Sequence, residues 1–430
     1  MNMNRVILVG NGFDLAHNLP TSYNDFLDWY WELRGISMMV SNKQVDDDSL
    51  SCFRLKLEGY SWYTYNCCNY LSQRGVSGKD FITHLKDSPN TCTITYSPLA
   101  KAIMNTLQMR GWVDIENEYY RLLVATHNSG SLDVKKAAEI NSQLGCIREK
   151  LATYLLAVQN DSRYACVRNE PIRNLMLQAI NPRDVSVSSQ GLLQEFIEER
   201  VQYSDNQWHD LLCSYNDSDL RDRIRETKDV AERVRSQMTA NVSSYFFRKF
   251  DIDEFLLPDK ILLLNFNYTS MADSYMPKAK IFQLNHIHGT LADKDNIIFG
   301  YGDELDKNYD GLKEKNENEY LKNMKSVKYM ESENYRKLLE FVDSDSFQIY
   351  IMGHSCGNSD RTLLNTLFEH DNCVSIKPFY HQKEDGSDNY LDIVQNISRN
   401  FTDMKLMRDR VVNKTYCEPL PQLHVHNEVN

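Results

Sequence analysis

A short apolar run near the amino terminus ends in glycines, and it restricts the possible folds of the chain more than any other segment does. Residues 5–10 read RVILVG, and Asn11 and Gly12 follow at once. A run rich in β-branched residues that breaks into glycine is typical of a buried parallel strand that turns directly into a helix. Such a strand has to find its neighbours elsewhere in the chain.

The other strand-like segments come only after a long helical stretch. From about residue 97 to residue 250 glycines are few, and apolar residues recur at helical spacing. After Pro258 the chain runs through KILLLNFNY, KIFQLNHIHG, NIIFGYG, FQIYIMGHS and CVSIKPFYH. Several of these segments are continuously apolar, which indicates burial on both faces of a parallel sheet. We predict an α/β fold in which a Rossmann-like parallel sheet, built from both chain ends, carries a large α-helical insertion.

This change of character also predicts domain boundaries. Residues 1–96 are expected to form the first part of the α/β domain, residues 97–250 the helical insertion, and residues 251–415 the rest of the α/β domain. Residues 416–430 contain two prolines and are expected to form a loose tail. The charged stretch at 301–345 is interpreted as a mobile flap.

Composition narrows the class of protein. The chain has 430 residues, of which 42% are hydrophobic and 25% charged, as in a soluble globular protein with a sizeable core. Its formal net charge of -12 argues against a protein that coats nucleic acid or anionic membrane, because phosphate groups favour clustered Lys and Arg. No apolar run reaches the roughly 18 residues that a membrane span needs, and we expect a cytoplasmic protein. The ten cysteines are scattered and form no CxxC pair, so no metal site is predicted.

Glycine, amide, imidazole and hydroxyl groups stand at the ends of the predicted strands. In open parallel sheets ligands bind beyond these carboxyl ends, so the pattern predicts a binding site. Taken singly, each group stays ambiguous: Gly10 and Gly12 fit a bare turn, Asn267 a turn residue, and His288 a satisfied core histidine. The strand-end residues are Gly10, Gly12, Asn265, Asn267, Tyr268, His286, His288, Gly300, Gly302, Gly353, His354 and Ser355.

Five segments, in chain order, resemble a known family. They are VILVGNGFDLAHNLPTSYNDF, LNFNYT, HIHGT, FGYGDE and MGHSCGNSD. Together they closely resemble the phage abortive-infection AbiH family, which is similar to a divergent branch of the sirtuin-like NAD-using fold. The helical middle is matched only by a W-x-D-x-E element at Trp112, Asp114 and Glu116. The resemblance implies an antiphage defence protein, an NAD glycohydrolase that cleaves NAD to nicotinamide and ADP-ribose.

The resemblance also implies binding roles for individual residues. Gly10, Asn11 and Gly12 stand where sirtuins place a glycine-rich turn against the NAD phosphates. Thr21 lies in a segment similar to the one that closes over the nicotinamide ribose. Asp14 is assigned either to helix capping or to a ribose contact. The further positions assigned to cofactor binding are Tyr268, Gly353, Ser355 and Asp360.

Two residues are expected to carry the chemistry. Asn267 corresponds to the asparagine that sirtuin-like NADases hold beside the nicotinamide ribose, and His288 corresponds to their histidine base. Thr269 stands where sirtuins have an aspartate, and the zinc-ribbon cysteines of protein deacylases are missing, which puts acyl-lysine removal in doubt. NAD is the expected substrate and no metal is expected. Because unrestrained cleavage would deplete the host's NAD, we expect gating by homo-oligomer assembly or by a phage product.

Two other readings stay open. Gly353-His354-Ser355-Cys356-Gly357 fits the GxSxG pattern of a serine hydrolase, with Asp371 and His381 as the acid and base that would follow Ser355. Alternatively, the protein binds a nucleotide as a sensor, without turnover, and the helical block transmits the ligand state to a partner.

Overall fold

In the computed structural model the chain divides into two compact units. The first consists of Met1–Leu19, Ser162–Ile297 and Tyr329–Asn430, and the second of Pro20–Asp161 and Ile298–Lys328. These cuts differ from the four blocks expected from composition, which stay a prediction about domains. The structure describes residues 2–41, 45–55, 77–87, 92–111, 114–128, 134–164, 168–214, 218–237, 256–276 and 281–423.

The strands and helices alternate irregularly along the chain. The strands are β1 (Met3–Val9), β2 (Val45–Asp47), β3 (Ser51–Leu55), β4 (Cys92–Tyr96), β5 (Ile261–Asn265), β6 (Phe282–His286), β7 (Ser346–Met352) and β8 (Cys373–Phe379). The helices are α1 (Asn11–Ala16), α2 (Tyr23–Ser41), α3 (Gly78–Asp87), α4 (Pro98–Arg110), α5 (Ile115–Asn128), α6 (Val134–Asn160), α7 (Glu170–Met176), α8 (Gln190–Val201), α9 (Asp205–Ser214), α10 (Ser218–Gln237), α11 (Lys307–Lys313), α12 (Lys325–Lys328), α13 (Asn334–Ser344), α14 (Arg361–Phe368), α15 (Tyr390–Asn400) and α16 (Met404–Arg410).

The first unit is organised around a five-stranded sheet with the order β6-β5-β1-β7-β8. Every neighbouring pair is parallel, and β1 in the centre pairs with β5 on one side and β7 on the other. The strand order therefore reverses between β1 and β7, as it does in Rossmann-like sheets. The predicted fold class is confirmed, including a sheet whose strands come from distant parts of the chain.

Burial on both faces explains why the central strands are continuously apolar. Every residue of β1, β7 and β8 is buried. The charged exception in β1 is Arg5, whose Nη1 donates to the carbonyls of Met176 and Gln178 at 2.8 and 2.7 Å. Its guanidinium also lies 4.0 Å from the centre of the Tyr350 ring. These contacts replace the water that a buried cation loses.

The predicted strand NIIFGYG is wrong. Its residues lie in irregular structure, and only Tyr301 forms a bridge, with Met324. The Gly300 N–H donates 3.0 Å to the carboxylate of Glu116, so a side chain satisfies a donor that a strand would pair with backbone. The stretch at 301–345 contains α11, α12 and α13 where a flap was expected.

The second unit combines an antiparallel sheet, β2-β3-β4, with helices α2–α6, α11 and α12. Asp114 begins α5 by accepting the N–H of Asn117 at 3.0 Å, as an N-cap residue does. Glu116 forms a buried ion pair with Lys325 at 3.1 Å. The structure thus gives Asp114 and Glu116 local contacts within this unit, while Trp112 of the W-x-D-x-E element lies outside the described residues.

Candidate functional site

The candidate site lies in the first unit, at the carboxyl ends of the parallel strands. The segments that directly follow β1, β5, β6 and β7, including α1 after β1, carry all the predicted site residues except one. The exception, Thr21, belongs to the second unit, where it is buried ahead of α2, and it stays a prediction as a site residue. The switch between β1 and β7 is the position at which open α/β sheets bind ligands.

Three glycines let the loops after β1 and β7 pack backbone against backbone. The Gly12 N–H donates 2.8 Å to the Gly353 carbonyl, and Gly353 has a φ of 77°. A Cβ on Gly353 would lie 2.0 Å from the Phe13 nitrogen, and one on Gly10 would lie 2.5 Å from the His354 Cα. Asn11, between the first two glycines, is exposed. The glycines are needed for this packing, whatever the loops bind.

Asp14 is buried beneath the site and holds two residues of the loop after β5. Its side chain is 1% exposed. Oδ2 accepts the Thr269 hydroxyl at 2.6 Å, and Oδ1 accepts the Asn267 amide at 2.9 Å. Burial raises the pKa of the Asp14 carboxyl to about 7, although the hydrogen bonds from Thr269 and Asn267 lower it. Asp14 lies inside α1 and bonds these two side chains, so the capping role considered for it is wrong.

The orientation of Asn267 follows from these contacts. Its Nδ2 donates to the Gly10 carbonyl at 3.0 Å as well as to Asp14. Its backbone N–H donates 3.0 Å to Oδ1 of Asn265. Since both amide hydrogens are engaged, the group that Asn267 can offer to a ligand is its amide oxygen, which is an acceptor.

His288 lies among aromatic rings and faces a carboxylate. It is 4% exposed, and its Nε2 lies 3.2 Å from Oδ1 of Asp360 and 3.2 Å from the Tyr329 hydroxyl. The Phe266 ring meets the imidazole edge-on with centroids 5.2 Å apart. The half-buried Tyr268 ring lies farther out, at 6.5 Å. His288 is thus a shielded imidazole whose ring plane is fixed by packing.

His354, a strand-end residue to which no individual role was assigned, shares the same carboxylate. Its Nε2 lies 3.6 Å from Oδ2 of Asp360, and its Nδ1 accepts the backbone N–H of Cys356 at 3.0 Å. Asp360, predicted to bind cofactor, therefore lies between two buried imidazoles. The signal in the sequence was a second histidine at a strand end, six positions before Asp360.

The third strand-end histidine is bonded differently. Nδ1 of His286 accepts from Nδ2 of Asn265 at 3.1 Å, and Nε2 lies 3.2 Å from Oδ2 of Asp273. Both ring nitrogens thus have protein partners, which is typical of a structural histidine. Of the two histidines in HIHGT, only His288 meets Asp360.

The serine-hydrolase reading fails on the topology of the sheet. Ser355 is exposed and follows the carboxyl end of β7, whereas Asp371 precedes the amino end of the parallel strand β8. Because a strand of seven residues spans about 23 Å, Asp371 lies at the opposite edge of the sheet from Ser355. The proposed triad of Ser355, Asp371 and His381 therefore cannot assemble.

Within the described ranges, no three His, Cys, Asp or Glu side chains are grouped so as to hold a metal ion. In the same ranges, none of the helices combines the length and the apolar character of a membrane span.

The comparisons with known proteins identify one family. The model of the bacteriophage abortive infection protein family AbiH matches residues 6–381, which is nearly the whole chain. No curated protein and no solved structure matches the chain at a significant level.

Proposed function

Since this chain belongs to the bacteriophage abortive infection AbiH family, and so to phage defence, we propose that it hydrolyses NAD to nicotinamide and ADP-ribose. One observation carries the proposal: a shielded imidazole and an oriented amide both lie at the carboxyl ends of the strands of a Rossmann-like sheet, where each is held by side chains or backbone of the neighbouring segments. Sheets of this topology bind dinucleotides at that edge. His288 supplies the imidazole and Asn267 the amide.

The proposed reaction needs one proton acceptor and one positioned water. The glycosidic bond between the ribose and nicotinamide breaks, and its electron pair leaves with neutral nicotinamide. The oxygen of water bonds to the ribose carbon, and the proton of that water passes to His288 and then to solvent. An imidazole suits this task because it titrates near neutral pH.

The neighbouring residues would orient the substrate and limit the access of water. The Asn267 amide oxygen, fixed by Gly10 and Asp14, would accept a hydrogen bond from a ribose hydroxyl or from the attacking water. Phe266 and Tyr329 wall the imidazole on two sides. A dry site strengthens the electrostatic interactions on which such a reaction depends.

Replacement of His288 by Ala tests the proposal. NAD, nicotinamide and ADP-ribose are followed in cells that carry wild type or His288→Ala, with and without phage. We expect wild type to lose NAD and release nicotinamide on infection, and His288→Ala to do neither. The matched control is His370→Ala, because His370 also pairs with an aspartate, Asp343, at 3.0 Å, but at the amino-terminal edge of the sheet.

The control should deplete NAD as wild type does. Equal NAD levels in cells with wild type and cells with His288→Ala, under every condition that gives protection against phage, would contradict the proposal. Tight NAD or ADP-ribose binding without release of nicotinamide would favour the sensor reading. Gating by homo-oligomer assembly or by a phage product belongs to the same proposal, because a constantly active enzyme would deplete the host.

A further inference from the structure

We propose that Asp360 is a positioning residue that fixes the tautomer of His288, so that Nδ1, and not Nε2, is the nitrogen that accepts the proton. The inference rests on the proposed function for the role of His288 as a base. The tautomer itself is a property of the protein and can be measured without NAD.

His354 supplies the first step. Its Nδ1 accepts the Cys356 N–H at 3.0 Å, so that nitrogen carries a lone pair. A neutral imidazole then has its proton on Nε2, and this proton faces Oδ2 of Asp360 across 3.6 Å. The distance is too long for a hydrogen bond but short enough for attraction to a carboxylate in a buried site. His354 therefore cannot act as the base.

Asp360 also contacts His288. Its other oxygen, Oδ1, lies 3.2 Å from Nε2 of His288, and both residues are buried, at 7% and 4% exposure. If Nε2 lacked a proton, its lone pair would face an oxygen of the carboxylate at this distance. Such a repulsion is costly where water is scarce, so Nε2 carries the proton and Nδ1 carries the lone pair.

Tyr329 is one group that could oppose this assignment. Its hydroxyl also lies 3.2 Å from Nε2 of His288 and would favour the other tautomer if it donated there. A hydroxyl can accept as well as donate, whereas an ionised carboxylate only accepts. The carboxylate therefore decides the tautomer. It also stabilises the imidazolium that forms when Nδ1 takes a proton, as the aspartate of a catalytic triad does.

The decisive measurement is nitrogen NMR of the full-length protein labelled with ¹⁵N-histidine. His288 and His354 are assigned by the signals lost in His288→Gln and His354→Gln. We expect wild type to show a protonated Nε2 and an unprotonated Nδ1 for both residues. In Asp360→Ala, His354 should keep its proton on Nε2, because the Cys356 N–H bonds to its Nδ1. The His288 signals should instead show a mixture of the two tautomers, or a proton on Nδ1.

A wild-type spectrum with the proton of His288 on Nδ1 overturns the inference, even if Asp360→Ala does not fold. An unchanged His288 pattern in a folded Asp360→Ala protein overturns it as well. The matched control is Asp343→Asn, which alters an aspartate–histidine contact away from the site, at His370, and should leave the His288 signals as in wild type.

Turnover gives a second readout wherever wild type cleaves NAD. We expect Asp360→Asn to lower kcat about a hundredfold or more and to change KM by less than about threefold, because a positioning residue acts through the base and not on the substrate. A loss confined to KM would show that Asp360 contacts NAD and would overturn the inference. If neither wild type nor Asp343→Asn cleaves NAD in infected cells that are protected, while the NMR pattern holds, the proposed function fails and the tautomer assignment stands.

Discussion

Asp14 couples proton binding to stability, because its carboxyl is buried and is bonded by the hydroxyl of Thr269 and the amide of Asn267. Its pKa rises from an ordinary 3.8 to about 7 in the folded protein. The folded protein therefore holds this proton more strongly than the unfolded chain does. The resulting stability is fully present below about pH 4 and is lost as pH rises through about 7.

The substitution Asp14→Asn should remove this pH dependence. An amide can still accept from Asn267 through its oxygen and donate to the Thr269 hydroxyl, so the local bonds survive. Between pH 4 and 7 the free energy of unfolding of wild type should fall, relative to Asp14→Asn, by up to about 1.4 kcal/mol per pH unit. Urea unfolding across this range gives the measurement, with the exposed Asp392→Asn as the control that should parallel wild type. Parallel curves for wild type and Asp14→Asn would contradict the assignment.

At the residue scale, sequence reasoning identified the residues at strand ends more readily than the residues that bond them. Asn267 and His288 stand directly after strands, where topology dictates a meeting. Tyr329 reaches His288 from 41 positions along the chain, in a stretch that was expected to be a flap. The resemblance assigned Asp360 to cofactor binding, and its contacts with His288 and His354 were not foreseen, because a motif does not reveal which side chains will surround a carboxylate.

The glycine contact between the loops after β1 and β7 is the element-scale feature that can be tested most sharply. Gly353→Ala must place a Cβ 2.0 Å from the Phe13 backbone nitrogen. Gly386 has a similar φ of 82°, yet nothing lies within 4 Å of its missing Cβ. A comparison of Gly353→Ala with Gly386→Ala therefore separates two contributions to the loss of stability: the left-handed backbone conformation, which both share, and the steric clash, which only Gly353→Ala has.

We expect Gly386→Ala to cost about 1–2 kcal/mol, as an L-residue does in this conformation. Gly353→Ala should cost more than about 4 kcal/mol, or prevent folding, since backbone atoms cannot move aside as a flexible side chain can. Thermal unfolding of both variants gives the comparison. Similar losses of stability would show that the loops are not in contact.

Strand prediction succeeded where apolar runs are long and failed where a short run is tied down by side chains. The segments at β1, β5, β7 and β8 are apolar enough to require a sheet, whereas β6, with the sequence FQLNH, is a partly exposed strand at the end of the strand order. NIIFGYG also begins with apolar residues, but it is held by Glu116 and by the Asn323 carbonyl, which its own residues do not reveal. The composition of a segment does not reveal a hydrogen-bond partner, such as Glu116 for Gly300, that lies 184 positions away in the sequence.

At the scale of the whole molecule, the first unit depends on strands that are far apart in sequence. In the centre of the sheet Arg5 pairs with Ile261 on one side, and Met3 pairs with Ser346 on the other. A chain that ends at Ser344 keeps the first pairing and loses β7 and β8. It also loses the loop against which Gly10 and Gly12 pack.

We expect such a chain to lack a cooperative unfolding transition for the first unit and to be cleaved rapidly by protease within residues 1–19. A chain that ends at Leu423 keeps β7, β8 and the loops between them, and it should melt as wild type does. Protection of residues 1–19 in the shorter chain would show that β1 and β5 suffice to order this unit.

The central place of β1 also sets a delay during synthesis. At about 5–20 residues per second, β1 leaves the ribosome roughly 17–70 seconds before β7, and until then one edge of it has no strand to pair with. Until β7 and its loop emerge, Asp360 and His354 do not exist beside His288, so a nascent chain, or one that terminates before residue 360, has no complete site. If the finished protein consumes NAD, this order of assembly protects the cell that makes it from its own unfinished copies.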